Sequence, residues 1–338
     1  MKAVVYRGPR DVAVETDLPE PAVEHARDAV VRVTRSAICG SDLHPYRGEI
    51  PGFAPGTILG HEFVGVVVDA GAEVPYPPGT RVVASDVIAC GRCATCAKGW
   101  HYHCAHATLF GYSTVVGRAV AGGQSEYVRV PFADTVLYPC PDELDDERML
   151  FVGDLLSTAW AAVEACAAPG ATVGVVGAGA LGQLAAMCAA AAGASRVVVA
   201  DPDPARRAGV EALGFAAVEP ALLASTLGEA QAVIEAVGSD AALACAVDSA
   251  GRRGTVVAVG AHSSAAMPLH TQRAFTRELT LRFVVGDPIR DRASVVALLR
   301  SGAVDPRAVV SDRLPLADAD AGYRDFDRRR SLKVLLIP

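Results

Sequence analysis

The chain lacks a surplus of positive charge: 31 lysines and arginines stand against 38 aspartates and glutamates in 338 residues, a formal net charge of −7. No electrostatic footprint for a polyanion is present, which sets nucleic acid aside as a partner. An apolar h-region is missing behind the first residues, MKAVVYRGPRDVAVE, so no secretory signal is expected. A cytoplasmic location with reduced thiols follows as the expectation. Internal repeats and low-complexity linkers are lacking too. One stretch is long enough on paper to cross a bilayer, the thirty-one uncharged residues between Glu164 and Arg196. Pro169 and six glycines interrupt it, so it reads as a strand, a turn and an Ala-rich helix, and no membrane partner is expected.

What is present suits one large or two ordinary globular domains, with 51% hydrophobic and 20% charged residues. Two textures divide the chain. From 1 to 150, short β-branched runs such as AVVRV, FVGVVV and EYVRV alternate with Pro and Gly turns, the pattern of a mainly β domain. From 151 to 287, strands such as TVGVVG, RVVVAD and AVIEAVG alternate with helical stretches, the pattern of a parallel, doubly wound sheet and so of an α/β fold. The segment 288–338 carries a helix at DRASVVALLRSG and a strand at KVLLIP that returns to the first domain.

The second texture holds Gly177-Ala-Gly179-Ala-Leu-Gly182, directly after a strand and opening a helix. Glycines there permit a tight turn and close approach of the backbone to a pyrophosphate at the helix N-terminus. Nineteen residues beyond Gly182, Asp201 ends the next strand, where a carboxylate can hold a ribose 2′-hydroxyl. NAD is thus expected over NADP, whose 2′-phosphate the acid would repel. Arg206 and Arg207 are read as adenine-flanking or solvent-facing.

In the first texture, Cys90, Cys93, Cys96 and Cys104 follow the spacing C-x2-C-x2-C-x7-C. Four thiolates this close can close a tetrahedral Zn²⁺ shell, which leaves no open position for catalysis and marks a structural site. Nearby His101, His103 and His106 are spare donors read as solvent-facing loop residues. Cys140, Cys166, Cys188 and Cys245 sit singly among apolar residues and read as small buried hydrophobes. A second constellation is more dispersed: Cys39 in CGSDLH, His61 and Glu62 in GHEF, and Asp154 in VGDLLSTAW. Alone, each suits a buried Cys, a core His or a helix-capping Asp. Combined with a nucleotide-type fold and a zinc lobe, thiolate, imidazole and carboxylate describe an open catalytic zinc site.

The motifs CGSDLH, GHEFVG, the four-cysteine lobe, GGQSEYVRVP, GDLLSTAW and GAGALG with Asp201 together resemble the zinc-dependent medium-chain dehydrogenase/reductase family, the alcohol dehydrogenase family, over essentially the full length. The resemblance implies a Rossmann domain over 151–287 and a GroES-like, mainly β catalytic domain over 1–150 completed by 288–338. It implies two Zn²⁺ per chain, NAD, a small-molecule alcohol, aldehyde or ketone as substrate, and a homodimer or homotetramer. Cys39, His61 and the residue opening the LLST segment, here Asp154, take the catalytic zinc positions. An acid at that third position is similar to secondary-alcohol and glutathione-independent formaldehyde dehydrogenase-like members, and CGRCATC leans toward the latter. The chain has no room for that subgroup's extra loop, and formaldehyde dismutation is not expected. The resemblance further places Ser41 and His44 in a proton relay, Asp42 behind His61, Glu62 near or intermittently on the metal, Thr158 by the nicotinamide and Lys333 at a pyrophosphate.

Cys39 thiolate, neutral His61 and Asp154 carboxylate together carry −2, which balances Zn²⁺ and leaves it a Lewis acid for an alcohol. Candidate pocket residues are Tyr46, Asp86, Trp100, Phe110 and residues 283–287. Asp86 points to a polar substrate such as a polyol, sugar or amino alcohol, unless it is a surface residue. Two rivals stand beside this reading. A zinc-independent quinone or enoyl reductase of the same fold would lack the Cys39, His61, Asp154 set, and a zinc-finger binding module is opposed by the acidic charge.

Overall fold

The structure is a computed structural model and describes residues 1–166, 169–262, 266–267 and 269–338. The chain divides into two compact units. The first comprises Met1–Asp154, Asp287–Val296 and Val310–Pro338, the second Leu155–Gly286 and Ala297–Val309.

In the first unit, a seven-stranded sheet runs in the order Asp312–Pro315, Val334–Ile337, Ala29–Ile38, Phe63–Ala70, Arg81–Ala84, Leu137–Pro139, and Tyr127–Val130 also pairs with Ala29–Ile38. Register brings the motifs together at one end of this sheet. Ser36 pairs with Phe63, and Val334 pairs with Ile38, both antiparallel. Cys39, just beyond Ile38, therefore emerges beside His61 and Glu62, just before Phe63, and beside Lys333, just before Val334. Val64 pairs with Val83, so Ser85 and Asp86 leave the sheet at the same end. The register holds because one face of each strand is buried, and a slip by one residue would turn every apolar side chain outward. Phe63 and Phe110 meet edge to face at 5.1 Å within a core that includes Val31, Val67, Val82 and Leu137. Full burial of each such side chain contributes about 1.5–3 kcal/mol.

The second unit is a six-stranded, all-parallel sheet in the order Ala216–Val218, Arg196–Ala200, Thr172–Val176, Ala230–Glu235, Ala250–Ala258, Thr280–Phe283. The chain order reverses beside Thr172–Val176, the point at which doubly wound sheets bind their ligands. The long uncharged stretch becomes that strand and the helix Ala180–Ala191. No helix among the described residues is long and apolar enough to cross a membrane. Asp203, with Pro204 behind it, caps the helix Pro204–Ala212 by accepting the Ala205 N–H at 2.8 Å.

The unit boundaries fall at Asp154/Leu155 and Gly286/Asp287. Residues 297–309, which the sequence reading assigns to the first domain, cluster with the second unit instead. The physical reason is apolar: the turn Pro306–Val309 packs on the Ala-rich helix Ala180–Ala191, with Val309 fully buried.

Candidate metal centre and cofactor site

Cys39, His61 and Asp154 offer one ligand atom each, and these atoms all lie within 4.8 Å of one another. Cys39 Sγ is 3.6 Å from Asp154 Oδ2, and His61 Nε2 is 3.5 Å from the same oxygen. On the other side of the ring, His61 Nδ1 is 3.3 Å from Asp42 Oδ1. The second Asp42 oxygen accepts the Cys39 N–H at 2.9 Å and the Gln124 side-chain amide at 3.2 Å. Asp42 therefore fixes the ring so that Nε2 faces the cluster, the arrangement that carboxylates impose on metal-binding histidines. Burial works to lower the His61 pKa, but the Asp42 charge, aided by bonds to Asp154, Asp42 and Cys39, holds it well above its usual value. Burial, then the Glu62 and Asp154 charges, push the Cys39 thiol up. A divalent cation would reverse both effects by displacing these protons, and a thiolate, imidazole and carboxylate set suits Zn²⁺.

The four lobe cysteines form the second such cluster. Cys93 Sγ is 3.4 Å from Cys96 and 3.8 Å from Cys104, and Cys104 is 3.5 Å from Cys90. Zn–S bonds of about 2.3 Å at tetrahedral angles place sulfurs roughly 3.8 Å apart, so the lobe fits Zn²⁺, whereas a disulfide needs about 2.05 Å. Backbone N–H groups of Cys90 and His106 donate to Cys104 Sγ, as a thiolate requires.

Around the trio, Ser41 Oγ lies 3.1 Å from His61 Nε2, and His44 Nδ1 lies 2.7 Å from Glu49 Oε2 at a partly exposed position. Glu62 does not join the cluster: one oxygen pairs with Lys333 Nζ and the other, Oε1, is buried with no hydrogen-bond partner among the described residues. Lys333, expected at a cofactor pyrophosphate, is instead buried in the first unit at 2% exposure and committed to Glu62. Burial would lower its pKa, but the Glu62 and Cys39 charges outweigh that and hold the ammonium charged. A cation so enclosed neutralises its partner acid.

Other expectations are corrected by burial. His101 is no solvent-facing loop residue: Nδ1 sits 2.8 Å from Asp287 Oδ1, and its N–H donates to Asp287 Oδ2 at 3.0 Å. Tyr46 and Phe110 belong to the core, Tyr46 against Tyr323 and Phe110 against Phe63. Asp86 is not on the surface but buried, with its carboxylate on the Tyr102 hydroxyl. Burial, reinforced by the Asp154 charge, raises its pKa well above the usual carboxylate value. Cys140 and Cys188 are buried, and Cys166 and Cys245 half-buried. Sequence reasoning missed Tyr112, whose hydroxyl donates to the Ser41 carbonyl at 2.6 Å and whose ring edges His61, and also Gln124, which links Asp42 to Tyr323. Gln124 at least lay inside a quoted motif, GGQSEYVRVP.

In the second unit, the glycine loop has the geometry its sequence demands. Gly177 takes φ +103°, and a Cβ on Gly182 would stand 1.8 Å from the Gly177 carbonyl oxygen. A Cβ on Gly179, by contrast, meets nothing within 4 Å, leaving room at the N-terminus of Ala180–Ala191 for a phosphate group. Asp201 is buried; Oδ2 accepts the Ala178 N–H at 2.8 Å and Oδ1 the Asp203 N–H at 2.9 Å. Arg207 is tied to the Asp201 and Pro202 carbonyls at 2.8 Å and lies 3.5 Å from Glu219. Thr158 is half-buried against Gly286.

A mainly β unit with a thiolate–imidazole–carboxylate cluster and a four-thiolate lobe, joined in one chain to a doubly wound unit with a dinucleotide loop, defines a zinc-dependent oxidoreductase. Comparison with known proteins makes the class specific. Residues 25–142 match the family described as "Alcohol dehydrogenase GroES-like domain" and residues 180–301 the family described as "Zinc-binding dehydrogenase". A Mycobacterium tuberculosis protein named "Probable zinc-binding alcohol dehydrogenase" is 36% identical over 331 residues, covering 96% of this chain and 84% of the relative. Among solved structures, an alcohol dehydrogenase from Thermus sp. ATN1 superposes with a TM-score of 0.95 at 37% identity, covering 100% and 99% of the two chains. The 2R,3R-butanediol dehydrogenase of Bacillus subtilis does so with a TM-score of 0.86 at 26% identity, covering 100% and 99%. The chain belongs to the zinc-dependent medium-chain dehydrogenase/reductase family and is an alcohol oxidoreductase of that type.

Proposed function

We propose that the protein interconverts an alcohol and its aldehyde or ketone with NAD, rather than NADP, as hydride carrier. The observation that carries this reading is the convergence of Cys39, His61 and Asp154, two anionic donors and one neutral one, at the sheet end where Asp42 orients the imidazole. Zn²⁺ held there supplies a Lewis acid that lowers the pKa of an alcohol oxygen. Ser41, 3.1 Å from His61 Nε2, is the hydroxyl placed to take the substrate's proton, and His44, against Glu49, is the base at the exposed end of the relay. Lys333 pairs with Glu62 and offsets it, so that Cys39 and Asp154 are the two negative donors left to balance Zn²⁺. Asp201 beside the glycine loop supports NAD, and Arg207, spent on two carbonyls and Glu219, is not held for a 2′-phosphate.

We extend the reading to a homodimer or homotetramer in a reducing, cytoplasmic setting. The terminal strand of the six-stranded sheet, Thr280–Phe283, supports the oligomer: Phe283 at its end and Val285 just beyond it are each 63% exposed, and Phe275 nearby in sequence is 85% exposed. The test is a panel of primary and secondary alcohols and carbonyls followed by nicotinamide absorbance, together with metal analysis. Turnover of at least one alcohol with two zinc ions per chain is expected. Turnover that persists after the catalytic ion is removed would place the chemistry elsewhere.

A further inference from the structure

Asp86 is a buried acid that this chemistry leaves unused. It stands just before the short strand Val87–Ile88 at 5% exposure, and its backbone N–H donates to the Gly153 carbonyl at 2.9 Å, one residue from Asp154. Its Oδ2 accepts the Tyr102 hydroxyl, while Oδ1 is buried with no hydrogen-bond partner among the described residues. The pairing of Val64 with Val83 sets it at the sheet end that also carries His61, and its bond to Gly153 ties it to the residue before Asp154, so it borders the trio. A buried carboxylate oxygen without a donor is costly, and native proteins complete such atoms with a ligand, an ion or water.

The neighbouring charges are already matched. Cys39 and Asp154 offset Zn²⁺, Lys333 offsets Glu62, and His61 Nδ1 faces Asp42. The missing partner of Oδ1 therefore has to suit a buried acid in either of its forms, carboxylate or carboxyl. A hydroxyl does, because it donates to the first and accepts from the second; an ammonium suits only the first and an alkyl group neither.

We propose that Asp86, held by Tyr102, is a specificity-determining anchor for a second hydroxyl of the substrate, which makes diols and polyols the preferred substrate class. This rests on the alcohol dehydrogenase reading of the trio. A monohydric alcohol would fill the site and leave Oδ1 unpaired, and sites built around a substrate hydroxyl reject analogues that lack it. Tyr102 has a separate duty: its hydroxyl occupies Oδ2, so that Oδ1 alone is left without a donor.

The test compares butan-2-ol, butane-2,3-diol, butane-1,3-diol and 3-aminobutan-2-ol on one carbon frame, with the zinc-loaded protein. The better diol should exceed butan-2-ol at least tenfold in kcat/KM, and calorimetric Kd values measured with NADH present should show the same order. Asp86→Leu should collapse that diol-to-monoalcohol ratio at least tenfold in both measurements, and Tyr102→Phe should lower it in the same direction. If Asp86→Leu does not fold, Asp86→Asn and Tyr102→Phe carry the comparison. A ratio near one in the unaltered protein, a ratio unchanged in the variants, or a preference for the amino alcohol over both diols would overturn the anchor. The calorimetric arm needs no turnover, so failure to oxidise any of these alcohols would count against the functional reading while the anchor is still decided by binding.

Discussion

At the residue scale, single carboxylates decide more than their number suggests, because each sits where its charge has one consequence. Asp201 is held rigidly by the Ala178 and Asp203 N–H groups, so it cannot swing away from an incoming 2′-phosphate that carries about two negative charges. NAD is expected to be preferred at least tenfold in kcat/KM, on the order of 1.4 kcal/mol. Asp201→Ser should erode the preference chiefly by improving NADP use; equal efficiencies in the unaltered protein would transfer the decision to Arg206 and Arg207. Asp287 makes a second case. Burial would raise its pKa, but the His101 hydrogen bonds and charge outweigh burial and hold it below the usual carboxylate value. A carboxyl with a depressed folded pKa stabilises fully above its unfolded value, about 3.9, and that stabilisation is lost as pH falls through the folded value. Asp287→Asn should thus lower Tm at pH 7 and flatten the dependence of Tm on pH below about 4, measured by calorimetry from pH 3 to 7. A parallel offset at every pH would assign the loss to packing alone.

At the element scale, the lobe from Cys90 to Cys104 has little regular structure of its own, only the 3-10 turns Cys96–Lys98 and His101–His103. The apolar cluster beneath it, Val87, Ala89 and Ile289 with three of the cysteines, is small. Such an element borrows its stability from metal. Cys93→Ser is expected to reduce bound zinc by one and to lower Tm by at least ~3 °C; an unchanged Tm would make the lobe metal-independent. This element also marks how far the sequence could be read. The four cysteines lie within fifteen residues, and local spacing is enough to group them. The glycine loop and Asp201 were legible for the same reason, since strand, turn and helix are contiguous there. His101 was not, because its partner Asp287 lies 186 residues away and gives no local signal. Lys333 and Glu62 are 271 residues apart and meet only through the register of Val334 on Ile38. Residues 297–309 escaped assignment because the helix Pro288–Ser301 shows no break in sequence where one unit gives way to the other.

At the scale of the whole molecule, the two clusters differ in what they would surrender. Three donors, one of them a hard carboxylate, hold a more labile ion than four thiolates do. Mild chelation should therefore abolish activity and leave about one zinc per chain with the far-ultraviolet spectrum intact. Simultaneous loss of both ions and of the fold would refute the division. The discontinuity of the first unit has an effect on biosynthesis. A ribosome delivers Cys39, His61, Asp154 and the whole lobe before it delivers Val310, yet the sheet that aligns them needs Asp312–Pro315 and Val334–Ile337. Until Val334–Ile337 pairs with Ala29–Ile38, Lys333 is not set against Glu62 and their buried pair cannot form. The lobe, whose four cysteines lie in one short stretch, can gather its zinc while the chain is still being made, whereas the catalytic trio is aligned only after Val334–Ile337 has been added, so the order in which the two ions load is built into the order of the chain.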